Sequence, residues 1–449
     1  MFMDKDRQQL SWEEKREQRF QEWLDPSGIP FVSPEAEKVY QERGRRLIDA
    51  YNLKEPDRVP VLVNVGSIPA YEYGLDYRRL SYDYDKLVEV CNQFNEDHAL
   101  ELDSWAMPQR FFPLKVLDIL DYKLYHWPGR GLSDKARGYQ YVEGEYMKAD
   151  EYDAFLRDPS DFWLRIYLPR VFGVLDPFKM FKSLTHIIEL PMTDFTPLAM
   201  PEVQAAFLSM AEAGKEFGKW MRVVGQFTGK MLASGYPVTR SNFAKAPFDT
   251  LGDTLRGTKG ILLDMYRRPE KVLEAIDKIT ELTISTAIGQ ANAMRNIIIM
   301  FPLHKGADGW MNQRQFETFY WPSLKKVINA LINEGFLVNL FAEGNYDSRL
   351  ESVNEFPKGA VAWWFDQTDM SKAKRLLGNK CSLWGNVPTS LLVTGTAQEV
   401  ENYCRNLIEK CGPGGGYILC PGASSDEAKV ENLKAMVAAA KEYGVYRKS

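Results

Sequence analysis

Five residues with the chemistry to act on a substrate or a metal stand in equivalent places along the chain. His304, Glu343, Asp366, Asn386 and Cys420 each come just after a short apolar run: 296–301, 336–341, 360–365, 381–385 and 416–419. His304, Glu343 and Cys420 together offer nitrogen, oxygen and sulfur, a donor set that zinc accepts while keeping a fourth position open. An open zinc activates a substrate oxygen or sulfur as a Lewis acid. Asp366 and Asp308 read as general acids or bases, with Asn386 as a third catalytic candidate. Lys305, Trp364 and Asn345 lie in or just after the same runs and Asn64 in an earlier one, 59–65; these four are the candidates for holding a substrate. Each has a plainer reading. A histidine in a loop commonly does no more than hydrogen-bond, a cysteine at a strand end is usually a small buried hydrophobe, and an aspartate caps the next helix.

The runs that carry these residues read as buried strands. The first is Val59 to Val65, stopping at Gly66. Between the later runs the spacing turns helical. A helical region covers 250–294. Asn312 with Gln315 forms a capping box opening a helix with the apolar stripe Phe316, Tyr320, Leu324, Val327, Ile328 and Leu331; Pro322 falls inside that stripe and predicts a bend. Thr368 or Asp369 caps the next helix, Thr396 with Glu399 makes a second capping box, and a final helix covers 426–443.

Strand alternating with helix implies parallel β/α units, and strands apolar along their whole length are covered on both faces. A closed (β/α)8 barrel is the first reading and a doubly wound open sheet the second. In such a barrel the carboxyl ends of the strands share one mouth. Each candidate is separated from the next by more than about a dozen residues, enough for one helical crossover. Residues 80–200 read as two or three strands with long insertions. Residues 1–57 read as a helical extension, with Ser33-Pro34 as a helix start and Arg43, Arg45 and Arg46 on a solvated face. The barrel then takes 58–449 as one domain.

Composition bounds the partners. Of 449 residues, 45% are hydrophobic and 26% charged, with a net charge of −5, so a globular chain is expected rather than a binder of nucleic acid. No apolar run is long enough for a membrane span. Five cysteines without a CxxC spacing, and a charged start without an apolar leader region, point to the cytoplasm. Gly412 to Gly416 precedes a strand rather than trailing one, so it is a turn and not a dinucleotide fingerprint. Gly225 to Lys230 falls short of a P-loop. His98, His126 and His186 have no companions at metal spacing.

Several segments together resemble the uroporphyrinogen decarboxylase superfamily: Ala246-Pro247-Phe248 through Gly260, Gln315 to Pro322, Phe365-Asp366, Gly385-Asn386-Val387-Pro388, Gly415 to Leu419, and Glu431-Asn432. Before residue 240 the likeness rests on Asp57 to Val61. The resemblance implies a distorted (β/α)8 TIM barrel and two branches of activity, the haem-pathway decarboxylase and cobalamin-dependent methyltransferases. The decarboxylase has an arginine-bearing stretch after its first strand; here that stretch is Asn64 to Pro69, without arginine. The methyltransferase His-x-Cys motif aligns with Phe341-Ala342-Glu343, and its late cysteine with Ala423.

The reading that results is a methyltransferase closer to the second branch. It would move a methyl group from a small organic donor to the corrinoid of a partner protein, with zinc assisting at a site built on Glu343 and His304. A decarboxylase using Asp366 or Asp308 as proton donor is the alternative, and a non-catalytic binding barrel the third. No corrinoid motif (Asp-x-His-x-x-Gly) occurs in the chain, so a partner would bring the corrinoid. A homodimer is compatible with the resemblance.

Overall fold

Six short strands line up in the order in which the chain makes them: β1 (Ser241–Phe243), β2 (Ile298–Leu303), β3 (Leu337–Ala342), β4 (Val361–Phe365), β5 (Ser382–Trp384) and β6 (Tyr417–Ile418), all parallel. They come from a computed structural model that describes residues 9–105, 111–183, 191–239 and 241–446. Beyond β6 the wall continues. Val61 bridges Leu419 in parallel, and the Asp103 N–H donates to the Val61 carbonyl at 3.0 Å. Between Ser104 and β1, the Ser104 hydroxyl accepts the N–H and the hydroxyl proton of Thr239 at 3.2 and 2.9 Å. Eight segments thus form the wall of a distorted (β/α)8 barrel. The two near 61 and 103 are held by single bridges and side chains, so the strand expected over 59–65 is reduced to a few bonds. Asp103 makes up for the missing ladder: its buried carboxylate accepts the Val61 N–H at 2.7 Å and pairs with Arg58 at 2.9 Å and with Arg46. Arg46 is therefore buried, and not on a solvated face.

Alternation along the strands divides the core, since successive side chains point to opposite faces. Ile299, Phe301, Val338, Leu340, Trp363 and Phe365 pack outward under the helices. Ile298, Leu337, Ala362, Trp384, Ile418 and Cys420 form a separate cluster inside the barrel. Two N-terminal helices close that cluster from below. In α1 (Trp12–Leu24), Ser11 and Glu14 form a capping box; in α2 (Pro34–Tyr51), Ser33 accepts the Ala36 N–H and Pro34 occupies the first turn. Their Phe20, Trp23, Leu47 and Tyr51 join the inner cluster, and Tyr51 stacks on Trp384 at 5.8 Å. Arg16 of α1, buried, donates to the carbonyls of Phe336, Gly359 and Ala360, just ahead of β3 and β4. The extension is a plug in the barrel floor.

The other sequence readings fare unevenly. The described part of 80–200 holds helices such as Tyr84–His98 and Tyr152–Arg157, and a small sheet of Tyr125–Pro128, Gly131–Leu132 and Gln140–Tyr141, each two to four residues long. The Gly225–Lys230 stretch lies inside a 33-residue helix, Pro201–Ala233. His186 lies outside the described residues. The capping boxes at Asn312/Gln315 and Thr396/Glu399 are both formed, and Asp369 caps Met370–Leu377. The stripe from Phe316 is interrupted by a π turn, Phe316–Tyr320, so Pro322 falls in the first turn of Trp321–Asn333, where its missing N–H is harmless. The final helix starts at Val430, because Asp426 is taken up by Ser67 and Ser424. No helix among the described residues is long and apolar enough to cross a membrane.

Candidate active site

The parallel register that pairs Leu303 with Ala342, and Ala342 with Phe365, runs on into His304, Glu343 and Asp366. Those three residues therefore stand side by side on the inward face at the carboxyl ends of β2, β3 and β4. One layer below them, the same register aligns Pro302, Phe341 and Trp364, all half-buried. Phe341 and Trp364 stack at 4.1 Å and 27°, and the Trp364 indole N–H donates to the Pro421 carbonyl at 2.8 Å, which fixes its plane. The mouth is thus a cup with an aromatic floor and a titratable rim.

Two carboxylates that the residue pattern did not single out organise the rim. Pro247–Asp249 is a single helical turn, continued by a π turn, Thr250–Arg256, that brings Asp249 and Asp253 toward the end of β2. Asp253 gathers three cations: His304 Nδ1 at 2.6 Å, Lys245 Nζ at 2.8 Å and Lys305 Nζ at 2.8 Å. Asp249, fully buried, accepts the backbone N–H groups of His304 at 3.1 Å and Lys305 at 2.9 Å, and the Tyr320 hydroxyl at 2.7 Å. Asp249 holds the backbone and Asp253 holds the ring. Gly252 lies between them, and a Cβ there would come within 2.8 Å of the Lys305 side chain.

This arrangement sets the protonation states. Burial opposes a charge on His304, but the Asp253 hydrogen bond and the nearby carboxylates of Asp249 and Glu343 outweigh it, so the imidazole pKa lies above its ordinary value. Burial would raise Asp253; His304, Lys245 and Lys305 outweigh it and hold this carboxyl far below the usual range. Burial raises Asp249, with the Asp253 charge adding to it. Glu343 is raised by burial, partly offset by His304, and Asp366 is raised by burial, partly offset by the Gly344 N–H at 3.1 Å. With Nδ1 engaged, His304 presents Nε2 to the cup, 3.7 Å from Glu343 Oε1; both side chains are more than a third exposed. An imidazole in this state can hold a proton at Nε2 and give it to a substrate atom at the rim.

The remaining sequence candidates divide. Lys305 is at the site, but buried, with its ammonium on Asp253 and on Thr258 Oγ1 at 2.8 Å. Asn386 donates to the carbonyls of Asp366 and Thr368 at 3.0 and 2.9 Å and so braces the Asp366 loop. Asn64 is exposed and accepts the Gly66 N–H. Asn345 is engaged with Asp347. Asp308 is a loop anchor rather than a rim acid: it accepts the Ser348 hydroxyl at 2.6 Å and N–H at 2.9 Å, with Arg349 at 3.3 Å.

The expected zinc set is not assembled. Cys420 belongs to the inner apolar cluster with Phe20, Trp23 and Tyr51, and burial pushes its thiol pKa up, away from the thiolate a metal needs. Pairing continues past β6 through a Val387–Pro421 bridge, so Cys420 lies within the wall and not beyond its end. Among the described residues no group of three or more His, Cys, Asp or Glu side chains is placed to hold a metal ion. His304 and Glu343 remain as a pair, with His304 Nδ1 and both lysines directed at Asp253. The residues present do not fit a three-ligand zinc centre, and no step is assigned to one.

An insertion covers one side of the site. The Tyr141 hydroxyl donates to the Asp253 carbonyl at 2.5 Å, the Met147 N–H to the Leu255 carbonyl at 2.7 Å, and Glu143 accepts the Thr258 N–H. Buried Arg256 ties the same segments together through Glu145 at 2.5 Å and Asp264 at 2.6 Å.

A parallel β/α barrel with an acid–base cluster where its strands end is the architecture that carries catalytic groups at its mouth. Over its C-terminal half the chain is similar to the uroporphyrinogen decarboxylase superfamily: residues 222–443 match the family model described as Uroporphyrinogen decarboxylase (URO-D). Uroporphyrinogen decarboxylase of Sodalis glossinidius is 25% identical over 170 residues, 34% of this chain and 43% of that protein. The enzyme of Photorhabdus laumondii is 27% identical over 198 residues, 42% of this chain and 54% of that protein. The chain spans about half the length of the curated relatives it matches. A solved methyltransferase from Methanosarcina mazei has the same fold, with a TM-score of 0.57 at 16% identity, covering 90% of this chain and 98% of that one.

Proposed function

We propose that this chain is a methyltransferase that takes a methyl group from a small organic donor and passes it to the corrinoid of a partner protein. The observation that carries the reading is the His304–Asp253 pair, which directs Nε2 over a half-buried apolar floor and favours the protonated ring. A methyl–heteroatom bond breaks more easily when the departing heteroatom is protonated, and Nε2 is the group placed to do it. The likeness over nearly the whole length to a methyltransferase barrel agrees with this. The partner's corrinoid is the acceptor, supplying a strong two-electron nucleophile. The test is methyl transfer to added cob(I)alamin from a panel of methoxy and methylamine donors, comparing the full chain with His304→Gln. Failure of every donor, or equal activity of the variant, would count decisively against the reading.

A decarboxylase acting on a smaller acid is the second reading. It is favoured by the family match and by the position of Asp366 at the end of its strand in the same rim as His304, where burial raises its carboxyl above the ordinary value. Carbon dioxide release that disappears in Asp366→Ala would select it over methyl transfer.

A further inference from the structure

The floor of the cup is a second recognition element beside its rim. Phe243 is 57% exposed, and Met300, Phe341 and Trp364 are half-buried, all on the inward side of the wall beneath His304 and Glu343. Apolar surface left facing water at the base of a polar cup marks the place where a ligand's own apolar part is received. Its shape is specific. Phe341 and Trp364 present two nearly parallel rings 4.1 Å apart, and the Pro421 carbonyl keeps the indole from turning. The two rings cover each other's facing sides, and a flat π-system can add on the outer face of that stack, whereas a puckered aliphatic group meets it only along an edge.

The rim sets the charge of that ligand. Lys245 and Lys305 both end on Asp253, so neither is free to pair with a ligand carboxylate. Glu343 and Asp366 stand beside His304 on the same rim and, when ionised, repel an anion. His304 Nε2 is the ring nitrogen left facing the cup, and in the protonated ring it calls for an acceptor atom.

We infer that the ligand of this site is an uncharged aromatic ring bearing an oxygen substituent, the ring lying on Phe341 and Trp364 and the oxygen at His304 Nε2. This rests on reading the rim as the place where the methyl donor binds, and within that reading the donor is an aryl methyl ether. Calorimetric titration of the full chain with methoxybenzene, phenol, methoxycyclohexane and benzoate tests it. Methoxybenzene and phenol are expected to bind about tenfold more tightly than methoxycyclohexane, the difference an aromatic contact supplies, with benzoate weakest. Phe341→Leu and Trp364→Leu, each keeping an apolar side chain, are expected to abolish that preference; Phe341→Leu serves if the tryptophan variant does not fold. Equal binding of methoxycyclohexane, or tightest binding of benzoate, overturns the inference. The two readings fail separately. Methyl transfer from saturated ethers as fast as from aryl ethers sinks the aromatic inference and leaves the methyltransferase. Ring binding that the variants abolish, without methyl transfer from any donor, sinks the methyltransferase and leaves the aromatic site.

Discussion

The Nδ1 atom of His304 lies 2.6 Å from Oδ2 of Asp253, and the same carboxylate accepts both nearby lysines, so one buried anion orients and charges the whole rim. Removing it has two consequences. In Asp253→Asn the ring loses its anionic partner, and the His304 pKa falls toward or below its ordinary value of about 6.5. Activity is expected to drop on the order of 10²–10⁴-fold, the range for general acid catalysis. Titration of the His304 ring by NMR in wild type and variant checks the first expectation, and steady-state rates check the second. An unmoved ring pKa would show that Asp253 does not hold the proton.

The pH dependence is set by the direction of the shift. His304 is raised in the folded protein, so its contribution to stability is fully present below the unfolded value, about 6.5, and fades as pH rises through the folded pKa. The acid function is lost over the same upper range. Activity is therefore expected to fall as pH rises through the folded pKa of His304, with the midpoint moving down in Glu343→Gln, which removes a negative charge facing Nε2. A midpoint unchanged by that substitution would rule out the Glu343 contribution.

Gly252→Ala should injure function more than folding. The backbone there is not in the left-handed region, but the added methyl would press on the Lys305 side chain and move its ammonium from Asp253. The expected result is a clear loss of turnover with a small change in thermal midpoint, read by activity assay beside calorimetry.

Asp103 holds the weak part of the wall, where the Val61 segment has only a few main-chain bonds. Asp103→Ala leaves Arg46 and Arg58 without their buried partner and should cost about 3–5 kcal/mol, as breaking a buried pair does. Denaturant unfolding measures it, and a change of under about 1 kcal/mol, the scale of an exposed pair, would mean that the segment is secured otherwise.

Cys420→Ala should leave turnover and metal content unchanged and lower stability by about 1 kcal/mol, the scale of a small core truncation. Loss of bound metal in this variant, by elemental analysis, would restore the cysteine as a ligand.

Much of the fold was legible because its cause is local. The apolar runs that became β2 to β5, the capping boxes at Asn312 and Thr396, and the Asp369 cap depend on residues close together in the chain. The segments near 61 and 103 were harder to read. They hold their places through Asp103, Arg46 and Arg58, and contacts between distant residues leave no periodic trace. His304, Glu343 and Asp366 were legible because each stands just past the apolar run of its own strand. Asp253 and Asp249 were not, since they come from a π turn whose path is not written in any spacing of hydrophobic residues.

The residue order alone settled that strands and helices alternate, and that His304, Glu343 and Asp366 stand at the ends of three of those strands. Parallel pairing then had to bring them together, because strand register is carried by backbone bonds and inward and outward faces alternate strictly. Tertiary structure decided which neighbours those side chains meet: Asp253 rather than a metal on His304 Nδ1, and a plug of α1 and α2 around Cys420. Protonation and burial depend on charges and surfaces a few ångströms away in space, and chain spacing does not encode that distance.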